Sequence, residues 1–261
     1  MERKRLLTHS LTLWRDRGDE NQVAKTLTYL SDVNRLMDLG GEGLQQIREA
    51  LEIYERLGDT ARQGQTLADL ARGSLDDEQL DAAEEAASRA IDLLGKGEQL
   101  EVCQCHIVLG DIYRAKGVME KAIHHLEIAL GIASSLNWHE QLFWVYFSLA
   151  EVSSAEGRFD DAHAHIERTN FHAADDIYLL AWAWRQQAVI WNQQRRFPEA
   201  KSEALRALDA FEKLEAAVDM EVTRGFLEQI GHDVGGSDSG SDCTRQSAER
   251  DNEGKLLETH R

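Results

Sequence analysis

Small residues at fixed offsets constrain this chain most. A triplet with its second and third members 12 and 19 positions after the first occurs five times: Ser31, Gly43, Ala50; Ala71, Ala83, Ala90; Gly110, Ala122, Ala129; Ala150, Ala162, Thr169; and Ala188, Ala200, Ala207. Successive first members lie 40, 39, 40 and 38 residues apart. An interval of this length, kept that steadily, belongs to stacked helical hairpins and not to a single globular core.

The third copy shows why small residues sit there. Residues 109–129 read as two short amphipathic helices folded back on each other at Lys116 and Gly117. Gly110, Ala122 and Ala129 let the two backbones approach closely, while Leu109, Tyr113, Ile123 and Leu126 fill the space around the contact. Leu80, Met119, Phe159 and Phe197 are expected just before each second helix, each followed by Asp or Glu or, at Pro198, by proline, which suits exposed N–H groups and the positive end of a helix dipole. The first copy differs, with Gly40, Gly41 and Gly43 expected in its turn and crossing, which predicts the loosest hairpin of the five.

At these positions the chain resembles the tetratricopeptide repeat family. Leu109, Gly110, Tyr113, Ala122, Leu126 and Ala129 fit its pattern, as do Trp184, Ala188, Trp191, Ala200 and Ala207. The period exceeds the family's usual length and the closing proline is absent, so second helices should run on through segments such as residues 50–58. Long-period arrays of this kind are similar to those of kinesin light chains and of the C-terminal sensor regions of fungal NACHT or NB-ARC (STAND-type) signalling ATPases. The resemblance, over about residues 10–231, implies an all-α fold: an α-solenoid, a right-handed superhelix of stacked hairpins.

Taken in order, residues 1–20 align with the second helix of the first copy and read as a half-repeat. They either cap the array, burying Leu11 and Trp14, or mark the chain as a piece of a longer one, which is the expectation. Five repeats follow at about 21–60, 61–99, 100–139, 140–178 and 179–215, then a capping helix at 216–231 with Val222, Phe226, Leu227 and Ile230 at helical spacing. Residues 232–261, rich in Gly, Ser and charge, are expected to be a disordered acidic tail, with Ser239 and Asp242 in a setting some kinases accept.

Net charge is −18, and no basic stripe stands out, which disfavours nucleic acid and anionic lipid as partners. Cys103, Cys105 and Cys243 are too few and too oddly placed for a disulfide framework, and with no apolar run of spanning length the expected location is the cytoplasm. No phosphate loop, nucleophile elbow or His-Glu-x-x-His helix is present, so no catalytic residue and no cofactor is assigned. His124, His125, His163 and His165 lack convergent metal spacing; His125 and His165 share a repeat position and could lie one above the other on adjacent second helices. The acid pairs Asp76-Asp77, Asp160-Asp161 and Asp175-Asp176 are expected at helix starts and turns.

The resemblance implies a peptide groove lined by first helices, at positions −3, +1 and +4 from the small residue. The first set is Thr28, Ala68, Ile107, Phe147 and Arg185. The second is Asp32, Arg72, Asp111, Glu151 and Val189, and the third Arg35, Leu75, Arg114, Ser154 and Asn192. Trp144 and Trp182 are expected at the groove's edge, whereas Trp184 and Trp191 are expected in the core. Asp32, Asp111 and Glu151 suit a partner peptide with basic and apolar side chains, though the same acids could instead pair with arginines of neighbouring hairpins. The expected function is a non-catalytic protein-interaction scaffold, the sensor or adaptor part of a STAND-type protein. The alternative is self-assembly through the open ends, with no groove ligand.

Overall fold

Alternating small and large apolar residues build helices whose faces interlock, and the computed structural model, which describes residues 2–36, 40–95 and 97–238, is helical throughout its regular elements. The chain divides into two units, Met1–Ala173 and Ala174–Arg261. The first holds α1 (Glu2–Arg17), α2 (Glu20–Leu36), α3 (Gly40–Leu57), α4 (Thr60–Asp76), α5 (Leu80–Leu94), α6 (Gln99–Ala115), α7 (Met119–Ser135), α8 (His139–Ala155) and α9 (Phe159–Ala173). The second holds α10 (Ile177–Gln193), α11 (Phe197–Lys213) and α12 (Ala217–Asp238).

In the first unit α2/α3, α4/α5, α6/α7 and α8/α9 are hairpins, and each second helix packs on the first helix of the next. First helices also touch along the row, α4 with α6 and α6 with α8, giving a continuous face of first helices. Helix α1 packs on α2: Leu11 is buried among Val23, Ala24, Leu27 and Leu30, with Leu7 and Trp14 packed at the edge. In the second unit α10/α11 is a hairpin and α12 packs on α11.

Every member of the small-residue triplets except the half-buried Ser31 is buried. The spacing has a steric cause that is visible at Gly110, where a Cβ would stand 2.6 Å from Leu126 Cγ. At Gly43 it would stand 3.1 Å from the Ser31 carbonyl oxygen. Large side chains close the layers between, among them Ile112, Leu126, Phe143 and Ile166, each under 2% exposed. Burial pushes the Cys103 and Cys105 thiols up to about 11 and about 12, so neither is a reactive nucleophile at neutral pH.

The connections share one device. Every one of the described connections carries a residue with positive φ: Gly at 18, 58, 95, 117 and 157, and Glu78, Asn137, Ala174, Arg195 and Glu215 at the others. Around Gly117 the backbone closes as a Schellman turn, Val118 N–H to Tyr113 C=O at 2.8 Å and Gly117 N–H to Arg114 C=O at 2.9 Å. Glycine adopts this conformation freely; the other five bear a Cβ against the left-handed backbone.

Three sequence expectations are corrected here. Leu80, Met119, Phe159 and Phe197 are the first residues of their helices and not the residues before them. Gly40 and Gly41 belong to α3 and not to the turn, while residues 37–39 lie outside the described residues. Helix α12 runs through Gly231 to Asp238, into the stretch expected to lack structure, because an anchored helix gains a backbone hydrogen bond with each residue it adds. Residues 239–261, with Ser239 and Asp242, lie outside the described residues.

Candidate functional site: the face of first helices

Four first helices of the first unit, α2, α4, α6 and α8, bring the predicted groove residues into one row. Along it the +1 and +4 positions are Asp32 and Arg35 on α2, Arg72 and Leu75 on α4, Asp111 and Arg114 on α6, and Glu151 and the buried Ser154 on α8, with Asp76 next to Leu75 adding an acid at the end of α4. Helical spacing places each set on one side of its helix; α4 touches α6 and α6 touches α8, and α2 joins the row through the Arg35–Asp76 pair and the cleft it shares with α4.

Two pairs of these charges meet across neighbouring helices. Arg114 meets Glu151 at 3.1 Å, both partly shielded, and Arg35 meets Asp76 at a longer 3.8 Å. Burial holds the Asp111 carboxyl well above the usual carboxylate range against the pull of Arg114, and Ser148 donates a hydrogen bond to it. For Glu151, Arg114 and Asp111, structural pairing therefore accounts for much of their chemistry.

The α2 end of the row is different. A cleft opens between α2, α3 and α4, lined by Ser31, Asp32, Arg35, Gly43, Leu44, Ile47, Asp69, Arg72, Gly73, Asp76 and Asp77. Asp32, Asp69 and Arg72 form no direct salt bridge with any described residue. Asp69 is exposed to solvent at the rim of the cleft but crowded by protein around its carboxyl, and that desolvation, followed by the charge of Asp32, pushes it up to about 7. Burial likewise raises Asp32 and Asp76, opposed by Arg35 and Arg72.

Asp69 escaped the sequence reading because it stands two residues before the small Ala71, on none of the three expected positions. The signal lay in the repeat itself. Ser148 stands two before Ala150 and donates to Asp111, one after Gly110. The same two positions two hairpins earlier in the row are Asp69 and Asp32, so two carboxylates stand where the third and fourth repeats place an acid and a hydroxyl. Asp76 and Asp77, read as turn acids, are also cleft residues, with Asp77 capping the end of α4.

Three of the five −3 residues are buried. Ala68, Ile107 and Phe147 are 8%, 7% and 8% exposed, and Phe147 packs against Phe143 and Trp144 with ring centroids 6.1 and 5.9 Å apart. Thr28 is half-buried and its hydroxyl donates to the Lys25 carbonyl at 2.8 Å. Trp144 is half-buried, edge-on to Phe143 at 5.0 Å.

In the second unit Arg185 is engaged internally. It pairs with Asp219 of α12 at 3.2 Å, both well shielded, and stacks over the half-buried Trp182 at 4.1 Å. Tyr178 donates to the same Asp219 at 3.1 Å. Asn192 is half-buried, with its side-chain oxygen lacking a hydrogen-bond partner among the described residues. Trp184 and Trp191, expected in the core, are half-buried, and arginines cover them: Arg206 at 3.7 Å from the Trp184 ring and Arg196 at 4.1 Å from the Trp191 ring. The stem of a long basic side chain shields the aromatic face while its head stays in water.

Helix α12 is built as a first helix, and among the described residues no second helix follows it. Its Ile230, 1% exposed, takes the place that Ile112, Val152 and Ile190 take in their hairpins, two after the small residue. The positions corresponding to Cys103, His106 and Gly110, which on α6 meet α7, are the exposed Glu221, Arg224 and Glu228. A glutamate where the small residue stands, flanked by charge, forbids a close second helix and gives this element a polar outer side.

Among the described residues no group of three or more His, Cys, Asp or Glu side chains is placed to hold a metal ion. His125 and His165 do not stack on each other: His125 lies against His106 and Tyr113 of α6, and His165 against Tyr146 of α8. No described helix is long and apolar enough to cross a membrane.

No family model matches the chain, and no curated protein matches its sequence. Solved structures do resemble it. A Rap protein complexed with competence and sporulation factor matches at TM-score 0.58 and 18% identity over 83% of this chain and 66% of that one. BtubC (BKLC) from P. vanneervenii matches at TM-score 0.63 and 17% identity over 82% of this chain and 91% of that one. Aspartyl phosphate phosphatase F from Bacillus subtilis matches at TM-score 0.60 and 16% identity over 81% of this chain. The chain spans 60% of that phosphatase and just under two thirds of the Rap protein. At these identities the likeness is one of fold, and the fold is a tetratricopeptide-type array of helical hairpins.

Proposed function

We propose that this chain is a non-catalytic protein-interaction scaffold that receives a partner peptide on the face formed by α2, α4, α6 and α8. The observation that carries the reading is the cleft between α2, α3 and α4, where Asp32, Asp69 and Arg72 are held by the fold without being consumed in salt bridges. Acids outnumber arginines there, so a lysine or arginine side chain of the partner is the complementary group, with Leu44 and Ile47 offering apolar contact beside it. The scaffold arrives ordered, so little conformational entropy is lost on its side when a peptide docks. The Rap protein of similar fold, complexed with competence and sporulation factor, supports an interaction role by analogy.

The groove residues of this proposal are Asp32, Arg35, Asp69, Arg72, Asp76 and Asp77, with Arg114 and Glu151 continuing the row. The place of action is the cytoplasm, and the larger context is the sensor or adaptor part of a STAND-type signalling protein, which the long repeat period supports. Assembly through the open ends has less support, because Glu221, Arg224 and Glu228 give α12 a charged outer side. The test is a peptide array probed with the full chain, comparing sequences that combine basic and apolar residues with their acidic counterparts. Asp32→Lys with Asp76→Lys should remove capture of the basic peptides while circular dichroism stays unchanged. Equal capture of acidic and basic peptides would refute the reading.

A further inference from the structure

Helices α6 and α7 are joined by a contact that neither the repeat pattern nor the interaction surface requires. His106 of α6 and His125 of α7 bring their Nδ1 atoms to 3.0 Å, with ring centroids 5.3 Å apart. Tyr113 stacks with His125, ring centroids 5.4 Å apart and planes 7° from parallel. Both imidazoles are half-buried. At 3.0 Å one ring must donate Nδ1–H to the Nδ1 lone pair of the other, so the contact exists only while at least one ring is neutral.

We propose that the His106–His125 contact is an acid-sensitive latch, closing α6 onto α7 at neutral pH and letting this hairpin open on acidification, which moves the Asp111 and Arg114 side chains that α6 carries. A first proton leaves an imidazolium that still donates to its neighbour. A second sets two N–H groups against each other and ends the bond, and the charge is held where water reaches it poorly. Separation of the helices relieves both costs.

The charged surroundings set the sign. On α7, His124 and Lys121 disfavour a further positive charge; on α5, Glu84 favours it, but that carboxylate already accepts from Tyr113 and Lys116 at 2.6 Å each. Burial first, then His125 and His124, pull His106 down to about 4, and burial likewise lowers His125. A histidine lowered in the closed state binds fewer protons there than when open. Closure is therefore fully favoured above the ordinary value near 6.5 and is lost as pH falls toward about 4. His139 and His172 meet similarly at 3.2 Å, but His139 is exposed, so water can take up charge in either state and that pair has no part in the latch.

Hydrogen exchange of the full chain, read by mass spectrometry at about pH 7.5 and about pH 5 and corrected for intrinsic rates, tests this. With His106 at about 4 when closed and ordinary when open, opening of residues 99–135 should rise about 30-fold between the two. Residues 2–95 should change far less, and His106→Gln should remove most of the pH dependence. An NMR titration of the wild-type imidazoles guards against a variant that misfolds: His106 should stay neutral well below about pH 6. Unchanged protection of α6 and α7, equal loss across α2 to α5, or a His106 that titrates normally would each overturn the proposal.

Discussion

Gly110→Ala and Gly131→Ala change the same atom count in one hairpin, yet their effects should have opposite signs. Gly131 lies in the interior of α7 with nothing within 4 Å of where its Cβ would be, so alanine there gains only helix propensity, about 0.5–1 kcal/mol. Gly110 gains the same term on α6 but would place its Cβ 2.6 and 2.7 Å from Leu126 Cγ and Cδ2. Leu126 has no exposed surface to retreat toward and is packed with Ala122, Ala129 and Val145, so the backbones must part or the leucine must leave its rotamer. Overpacking of that kind costs about 1–3 kcal/mol, which against the propensity gain leaves Gly110→Ala destabilised by up to about 2.5 kcal/mol. Because propensity cancels, the gap between the variants measures the steric term alone. Urea unfolding followed by far-UV circular dichroism gives both midpoints against the wild type. A Gly110→Ala protein stabilised as much as Gly131→Ala would show that the small residues do not mark a helix crossing, and the repeat register would fail with it.

Asp69→Asn removes a carboxyl that is raised to about 7 in the folded chain against about 3.8 unfolded, so the wild type loses stability as pH rises through that window; the variant should unfold at higher urea than the wild type at about pH 8 and match it at about pH 4, and equal midpoints at both would contradict the raised-acid assignment. Glu78→Gly relieves a side chain held at φ 57° and should raise stability by about 1 kcal/mol in thermal unfolding. Ala129→Trp, at a position with no exposed surface, should cost about 1–3 kcal/mol or more, measured the same way.

What could be read in the sequence follows from which residues answer to the backbone and which to their neighbours. Ala122, Ala129, Ala162 and Ala200 were legible because a crossing distance admits only small side chains, a constraint that recurs with the period whatever surrounds it. Gly117 and its turn were legible for the same reason, but Glu78, Asn137 and Arg195 adopt equally left-handed backbones with no glycine to announce them. The site was less legible because a family position states only where a side chain begins. Phe147 begins on the expected side of α8 and folds onto Phe143 and Trp144, since a large apolar ring finds more burial there than on an open face. Arg185 and Glu151 stand on the expected side too, yet each has an opposite charge within reach on an adjoining helix, a fact of three dimensions. Asp69 reverses the case: its significance depends on Asp32, 37 positions earlier, and on the hydroxyl that Ser148 supplies at the matching place two hairpins on. A repeat protein makes such comparisons possible within one chain, since the same backbone environment is filled five times. A site is then best sought where one copy leaves a polar group unmatched that another copy satisfies, and in this chain that criterion points to the α2–α4 cleft ahead of the more conspicuous tryptophans.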